Sequence, residues 1–295
     1  MSVDLLTPPD LSDLRSWRRT KDRIATIVMA GALVLVAIPL GFVLYTVVSK
    51  GAGIISWQFL SGDIPPQLSP ASLGGLGPAV VGTLLITGVA TLLAVPLGIL
   101  GAIYLHEYGG NGLLAKVIRF MSEVMTGVPS IVMGLFVFTL WTTTFGFSGF
   151  AGSLALACLM LPVVIRSSEE MLRLVPNAQR EASFALGSSK VRVIFGTVLP
   201  HAAGGIVSGS LLAVARAAGE TAPLLFTILT VTTINTNILH GPNTALSTQI
   251  FANATSPFPG AQARAWGAAL TLVVIAFVLT TIARLLTARF AKRHG

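Results

Sequence analysis

The stretch Gly204–Val231, GGIVSGSLLAVARAAGETAPLLFTILTV, is long and apolar enough to cross a bilayer, yet it carries Arg216 and Glu220 one helical turn apart. A spanning helix needs about 20 mainly apolar residues. A charge at its centre costs about 2.5–3.5 kcal/mol on insertion scales, so such a residue faces a bundle interior or a watery path. At spacing i, i+4 the two side chains can pair on one helix face. The pair therefore predicts either an internal ion bridge or a place where the chain handles something polar within the membrane. A guanidinium, with five donors in a planar fork, suits the oxygens of an oxyanion.

The composition around this stretch is that of an integral membrane protein. Of 295 residues, 53% are hydrophobic and 10% charged, with a mean hydropathy of +0.82, whereas a soluble domain carries about 25% charged residues. The net charge of +8 does not form a nucleic-acid face, because the basic residues fall in short segments between apolar runs. The single cysteine, Cys158, lies inside an apolar run and excludes an intrachain disulfide. His106, His201, His240 and His294 are scattered, with no HExxH or Cys/His cluster, so no metal site is expected. No G-x-x-x-x-G-K-[ST] occurs, so the chain carries no phosphate loop, and the reading is a transport subunit without its own ATPase site.

Six segments are predicted to span the membrane: 24–48, 77–105, 120–142, 149–166, 204–231 and 265–288. This is an all-α integral membrane fold of six transmembrane helices. Residues 1–23 form an N-terminal segment and 24–48 the first span, whose apolar run exceeds the roughly 7–15 residues of a signal-peptide core and predicts a retained anchor. Residues 50–76 form an extracytoplasmic loop, and 77–290 the core with the other five spans. Pro39, Pro96, Pro129, Pro162 and Pro223 fall within spans and imply bent helices, which membrane bundles tolerate where neighbours satisfy the freed carbonyls. Lys and Arg distribution sets the orientation. Arg15, Arg18, Arg19, Lys21, Arg23, Lys116, Arg119, Arg166, Arg173, Arg180, Lys190, Arg192, Arg284, Arg289, Lys292 and Arg293 lie on one side, against Lys50 and Arg264 on the other. Both termini are therefore expected in the cytoplasm of a multi-pass plasma-membrane protein. In the first outer loop, Ile54–Leu60 with Trp57 and Phe59 reads as an interfacial patch. Gly205-x3-Gly209 reads as a close-packing site, within the bundle or against a second chain.

Between the fourth and fifth spans, residues 167–203 are too long for an unstructured connection. Ser167-Ser168-Glu169-Glu170 would suit a helix start, and Pro176 would end that helix. A short helix over Ala178–Leu186 would stop at Gly187 in a C′ position. Ser188-Ser189 would begin another helix leading to Pro200. Such a helix, tied to two spans, can pass a push from a soluble partner into the membrane.

Glu181-Ala182-Ser183-x3-Gly187, followed by x9 and Thr197-Val198-Leu199-Pro200, resembles the EAA loop of ATP-binding-cassette importer permeases, E-A-A-x3-G-x9-I-x-L-P. Ser183 and Thr197 depart from that pattern, which has Ala and Ile there. Leu161–Arg166, Glu170–Pro176 and Ala215–Thr227 are similar to the A-type permeases of phosphate-specific transport systems. The C-type partner permeases of those systems share an Arg…Gly-Glu-Thr segment, but the Ala-Pro-Leu-Leu-Phe-Thr continuation favours the A type.

The resemblance implies the type I importer permease architecture with a cytoplasmic coupling helix, covering about residues 75–290. It implies four partners besides lipid: a homologous C-type permease, two copies of an ABC ATPase subunit that uses the ATP, an extracytoplasmic phosphate-binding protein, and phosphate itself. No cofactor is implied in this chain. By the same resemblance, Glu181, Ala182 and Gly187, with Leu199 and Pro200 completing the motif, form the ATPase-coupling segment. Arg216 and Glu220 line the pathway, the arginine attracting the anion and the carboxylate limiting its hold. Arg166 is either a snorkelling anchor or an exit-side phosphate contact. Glu123 is expected as a helix-dipole partner at the start of the third span and Glu107 as a solvated loop residue. Two other readings stay open: a permease for sulfate or molybdate, and a stand-alone ion-coupled transporter or channel, which would not account for the organised loop. A membrane enzyme has no nucleophile–base pair to support it.

Overall fold

The computed structural model describes residues 12–65 and 73–294, and the described residues contain helices and no strand. Residues 1–11 and 66–72, parts of the expected N-terminal segment and outer loop, lie outside the described residues. So do the side chains of residues 12–16, 18–20 and 286–294, which include Arg15, Arg18, Arg19, Arg289, Lys292 and Arg293.

Two compact units divide the chain, 1–49 and 50–295. Helix α1 (Ser12–Gly51) accounts for the first. It starts well before the apolar run, because Arg and Lys are good helix formers and nothing between Ser12 and Ile24 breaks the backbone pattern. None of its most apolar window is buried within the chain. A helix apolar on every side is matched to hydrocarbon or to another membrane helix.

The second unit opens with α2 (Trp57–Ser61), capped by Ser56, whose side chain accepts from the Phe59 amide at 3.1 Å. The expected interfacial patch divides here: Trp57 is exposed, but Phe59 is buried with Ile64, Leu76, Ala79, Leu246 and Ala268 in a core at one end of the bundle. Helix α3 (Gly77–Gly109) follows, its last turn, Tyr104–Gly109, widened to π geometry.

The expected third span, 120–142, is not one helix. Helices α4 (Leu113–Gly127) and α5 (Ser130–Phe145) meet at 109°. Val128 precedes a proline and is extended, with φ −73° and ψ 131°, the conformation that proline imposes on its predecessor.

Helix α6 (Gly149–Arg173) begins at Ser148, whose hydroxyl accepts from the Ala151 amide at 3.2 Å. It runs through Arg166 without a break, so Ser167–Glu170 lie in its interior and start no new helix. Ser168 and Leu172 on that extension are fully buried, and burial holds the chain helical until Pro176. Helix α7 (Asn177–Ala185) is followed by Gly187 at φ +77°, the left-handed stop expected there.

Helix α8 (Lys190–Ala218) does not end at Pro200. A π segment, Ile194–Val198, precedes the proline; a wide turn accommodates the missing donor and the ring. The helix instead stops at Ala218, capped by Gly219 and short of Val231, so the expected span 204–231 is corrected. The chain then makes α9 (Leu224–Thr227), α10 (Leu246–Ala254) and α11 (Pro259–His294). Arg264, expected in an outer loop, lies in α11 and is 3% exposed, with Nε and Nη1 meeting no hydrogen-bond acceptor among the described residues.

Helices α3 and α6 form the most extensive packed pair. Ile86, Ala90 and Ala94 of α3 share a central core with Leu156 and Met160 of α6 and Val214 and Ala217 of α8. A second core joins Ala102 and Ile103 to Leu172, Val175, Val193, Ile194 and Val198 beneath α7. The glycine pair closes α8 onto α6: a Cβ on Gly209 would stand 2.6 Å from Ser167 Oγ, and one on Gly205 would run into Met171. The close-packing site is thus internal to this chain. Replacing Gly209→Leu should cost about 1–3 kcal/mol by overpacking and lower the thermal unfolding midpoint of the purified protein; an unchanged midpoint would count against the α6–α8 contact.

Candidate functional site

Arg216 sits in the last turn of α8, and Glu220 lies just beyond the helix end. Their pairing survives the correction of the span but changes character. Arg216 Nε stands 3.9 Å from Glu220 Oε1, with the arginine side chain 77% and the glutamate 24% exposed. This is a loose contact that leaves most of the guanidinium accessible. A cation at a helix C-terminus also meets the negative end of the helix dipole. Glu220 is held through its backbone: its amide donates to Ala217 O at 3.1 Å, and its carbonyl accepts from Ser247 Oγ of α10 at 2.8 Å.

A half-open cavity of about 290 Å³ contains both charges. Its walls are Leu159, Met160 and Val163 of α6, and Thr126, Val128, Pro129 and Ser130 where α4 breaks into α5. The first amides of α5 have no intrahelical acceptors, and Pro129 supplies no side-chain cap. The positive end of that helix therefore faces a space that also holds a guanidinium and two hydroxyls, a setting that favours an anion. Non-helical backbone at membrane depth is tolerated where it lines a cavity, and two interrupted helices meet here, α4–α5 at residue 128 and α8 at residue 219. The arrangement can hold and release an oxyanion without covalent chemistry.

Arg166 is not in this cavity. Its Nη2 pairs with Glu123 Oε1 at 2.9 Å. Glu123 accordingly sits near the C-terminal end of α4, not at the start of a span as expected from its position. Both residues line a second cavity of about 240 Å³ with Arg119, Glu169 and Arg173. There Arg119 pairs with Glu169 at 2.9 Å and donates to the carbonyls of Gly110 and Leu105. Helices α4 and α6 wall both cavities, and Val163 and Arg166 are separated by about 4.5 Å of helix rise.

The residues of the EAA-like segment separate into two layers. Glu181, Ala182 and Gly187 are exposed on and just after α7, whereas Leu199 and Pro200 are half-buried within α8. Ser183 and Thr197, the two departures from the EAA pattern, meet each other: their hydroxyls are 3.0 Å apart and bind α7 to α8. Sequence reasoning missed Phe184 and Leu186, which are 46% and 87% exposed and give the segment an apolar face. Their signal was present as two large apolar residues in a stretch, 177–190, otherwise made of polar and small residues. It also missed Arg180 and misjudged Glu107, which is 11% exposed and pairs with Arg180 at 3.2 Å.

Residues 94–293 match the family described as binding-protein-dependent transport system inner membrane component. The chain is 44% identical to phosphate transport system permease protein PstA 1 of Mycobacterium tuberculosis, over 97% of this chain and 95% of that one. It is 39% identical to phosphate transport system permease protein PstA of Yersinia pestis, over 100% of both chains. Among solved structures, an inward-facing conformation of the MetNI methionine ABC transporter aligns with a TM-score of 0.61 at 16% identity, covering 72% of this chain and 94% of that one, a likeness of fold. With helices of this arrangement and relatives of this identity along nearly its whole length, the chain belongs to the family of binding-protein-dependent transport system inner membrane components and has the fold of an ABC importer permease.

Proposed function

We propose that this chain is the A-type permease subunit of an ATP-driven phosphate importer and that phosphate passes through the cavity at Arg216 and Glu220. The observation that carries this reading is a guanidinium kept 77% exposed at a cavity inside an apolar bundle, 3.9 Å from a carboxylate that does not neutralise it fully. Relatives named as phosphate transport system permeases support phosphate over sulfate or molybdate. Arg216 attracts the dianion or monoanion through charge-assisted hydrogen bonds. Glu220 competes for the same donors, so the anion is held weakly enough to leave. The charged groove at Arg166 continues the route along α4 and α6.

The complex comprises a homologous C-type permease, two copies of an ABC ATPase subunit and an extracytoplasmic binding protein, with both termini of this chain in the cytoplasm. ATP is hydrolysed by the ATPase subunits. The exposed face of α7, with Glu181, Ala182, Phe184 and Leu186, supports docking of one of them. ATP-driven closure of the ATPase pair displaces α7 and shifts the bundle between outward and inward openings.

In membrane vesicles carrying the whole complex, Arg216→Ala should lower labelled-phosphate uptake by between about tenfold and 150-fold, the range set by roughly 1.5–3 kcal/mol for hydrogen bonds to a charged group. The complex should still assemble. Uptake at the wild-type rate would remove Arg216 from the mechanism, and equal competition by sulfate or molybdate would overturn the phosphate assignment. Glu220→Gln should lower both the half-saturating phosphate concentration and the maximal rate, since the anion loses its competitor; a raised half-saturation would contradict that role. Leu186→Asp should abolish copurification of the ATPase subunit while leaving the permease in the membrane.

A further inference from the structure

Helix α7 is held from two directions. Towards α8, the Ser183–Thr197 hydroxyl pair is joined by Gln179 Nε2 lying 3.2 Å from His201 Nε2. Towards α6 and α3, the work falls to Arg180. Its Nη1 donates to Val175 O at 2.6 Å and to Asn177 Oδ1 at 3.1 Å. Its Nη2 donates to Leu172 O at 2.8 Å and Glu107 Oε1 at 3.2 Å, and lies 3.2 Å from His106 Nε2. A second cation from the same loop, Lys190, donates to the backbone carbonyl of Glu107 and stands 4.4 Å over the ring of Tyr108. The end of α3 is thus gripped at its carboxylate, its main chain and its aromatic ring by residues flanking the exposed coupling segment.

The burial of this joint decides its mechanical value. An exposed ion pair is screened and pays side-chain entropy for little gain. Arg180 and Glu107 are only 12% and 11% exposed, and Arg180 spans four acceptors, one each on α3, α6, α7 and the turn between α6 and α7. The guanidinium fork fixes direction as well as distance. From Glu107 the path is solid: α3 packs on α6 along the bundle, and Ile86, Ala90 and Ala94 share a core with Met160, which walls the Arg216 cavity, and with Ala217 beside it.

We propose that Arg180 is the positioning residue that couples α7 to α3, so that a displacement imposed on α7 is delivered to the α3–α6 pair and to the wall of the Arg216 cavity. The inference rests on reading α7 as the ATPase-docking helix. Without this joint, α7 would be held mainly towards α8, through Ser183–Thr197 and Gln179–His201.

The test uses the full complex in proteoliposomes, with Cys158→Ser and a reporter introduced by Ala213→Cys at the cavity wall. Three quantities are read: ATP hydrolysis, phosphate uptake per ATP, and the change in labelling of the reporter by a polar thiol reagent when a non-hydrolysable ATP analogue is added. Arg180→Gln and Glu107→Gln should each retain the ATPase subunits and hydrolyse ATP. The nucleotide-dependent change in labelling should shrink, and uptake per ATP fall, by about twofold to thirtyfold, the span measured for residues that carry coupling between sites. Both quantities unchanged in Glu107→Gln would overturn the proposal. That variant keeps every carbonyl contact of Arg180, so it decides the matter even if Arg180→Gln does not assemble. A parent complex that responds to nucleotide in the labelling assay but carries no phosphate would refute the substrate and leave the labelling comparison to judge the joint. A parent complex that does not bind the ATPase at α7 would sink the proposal with the docking assignment.

Discussion

Polar groups left unpaired in hydrocarbon cost several kcal/mol each, and this constraint organises the helices around residues 128–130 and 216–223. Two helices lose their regular hydrogen bonding in the same region: α4 turns into α5 at Val128–Pro129, and α8 ends at Ala218. Each break by itself would expose backbone amides or carbonyls to lipid. Placed together, they border one half-open cavity that also holds Arg216 and Glu220. The carbonyl of Glu220 is secured by Ser247, so α10 holds the broken strand of backbone in place. Pro129, by holding Val128 extended, places the α4–α5 break at this cavity.

At the other end of α8 the constraint is mechanical. Residues 174–189 are held by few apolar contacts and many directional bonds. Three ion pairs, Arg119–Glu169, Arg166–Glu123 and Arg180–Glu107, tie α4, α6, α7 and the end of α3 together. Each arginine finds a carboxylate from a different element; Arg180–Glu107 is largely buried, whereas Arg166–Glu123 is exposed and screened. The hydroxyl pair of Ser183 and Thr197 shows the same logic in miniature: two substitutions away from the family pattern produce a contact between the segments they occupy.

The exposed surfaces divide by chemistry. The α1 window is apolar on every side, as a lipid-facing or membrane-paired helix must be. Phe184 and Leu186 are apolar and exposed on a segment flanked by charges, a composition that suits a protein partner in water more than hydrocarbon.

Hydropathy and charge by themselves determined the class, the apolar segments and the charge asymmetry, because a bilayer imposes length and polarity on each segment independently of its neighbours; the family was legible only in the motifs at residues 161–176, 181–200 and 215–227. The left-handed stop at Gly187 was equally legible, since its conformational demand is local. Where each helix ends was not. Ser167–Glu170 reads as a helix start, yet burial of Ser168 and Leu172 against neighbouring helices carries α6 through it. The run 204–231 reads as one span, yet the chain leaves the helix at Gly219, where the Glu220 carbonyl finds its partner in Ser247 of α10. Glu107 and Glu123 look solvated or dipole-bound in sequence, and only tertiary structure could assign them to Arg180 and Arg166, since ion pairing depends on distances between segments far apart in the chain.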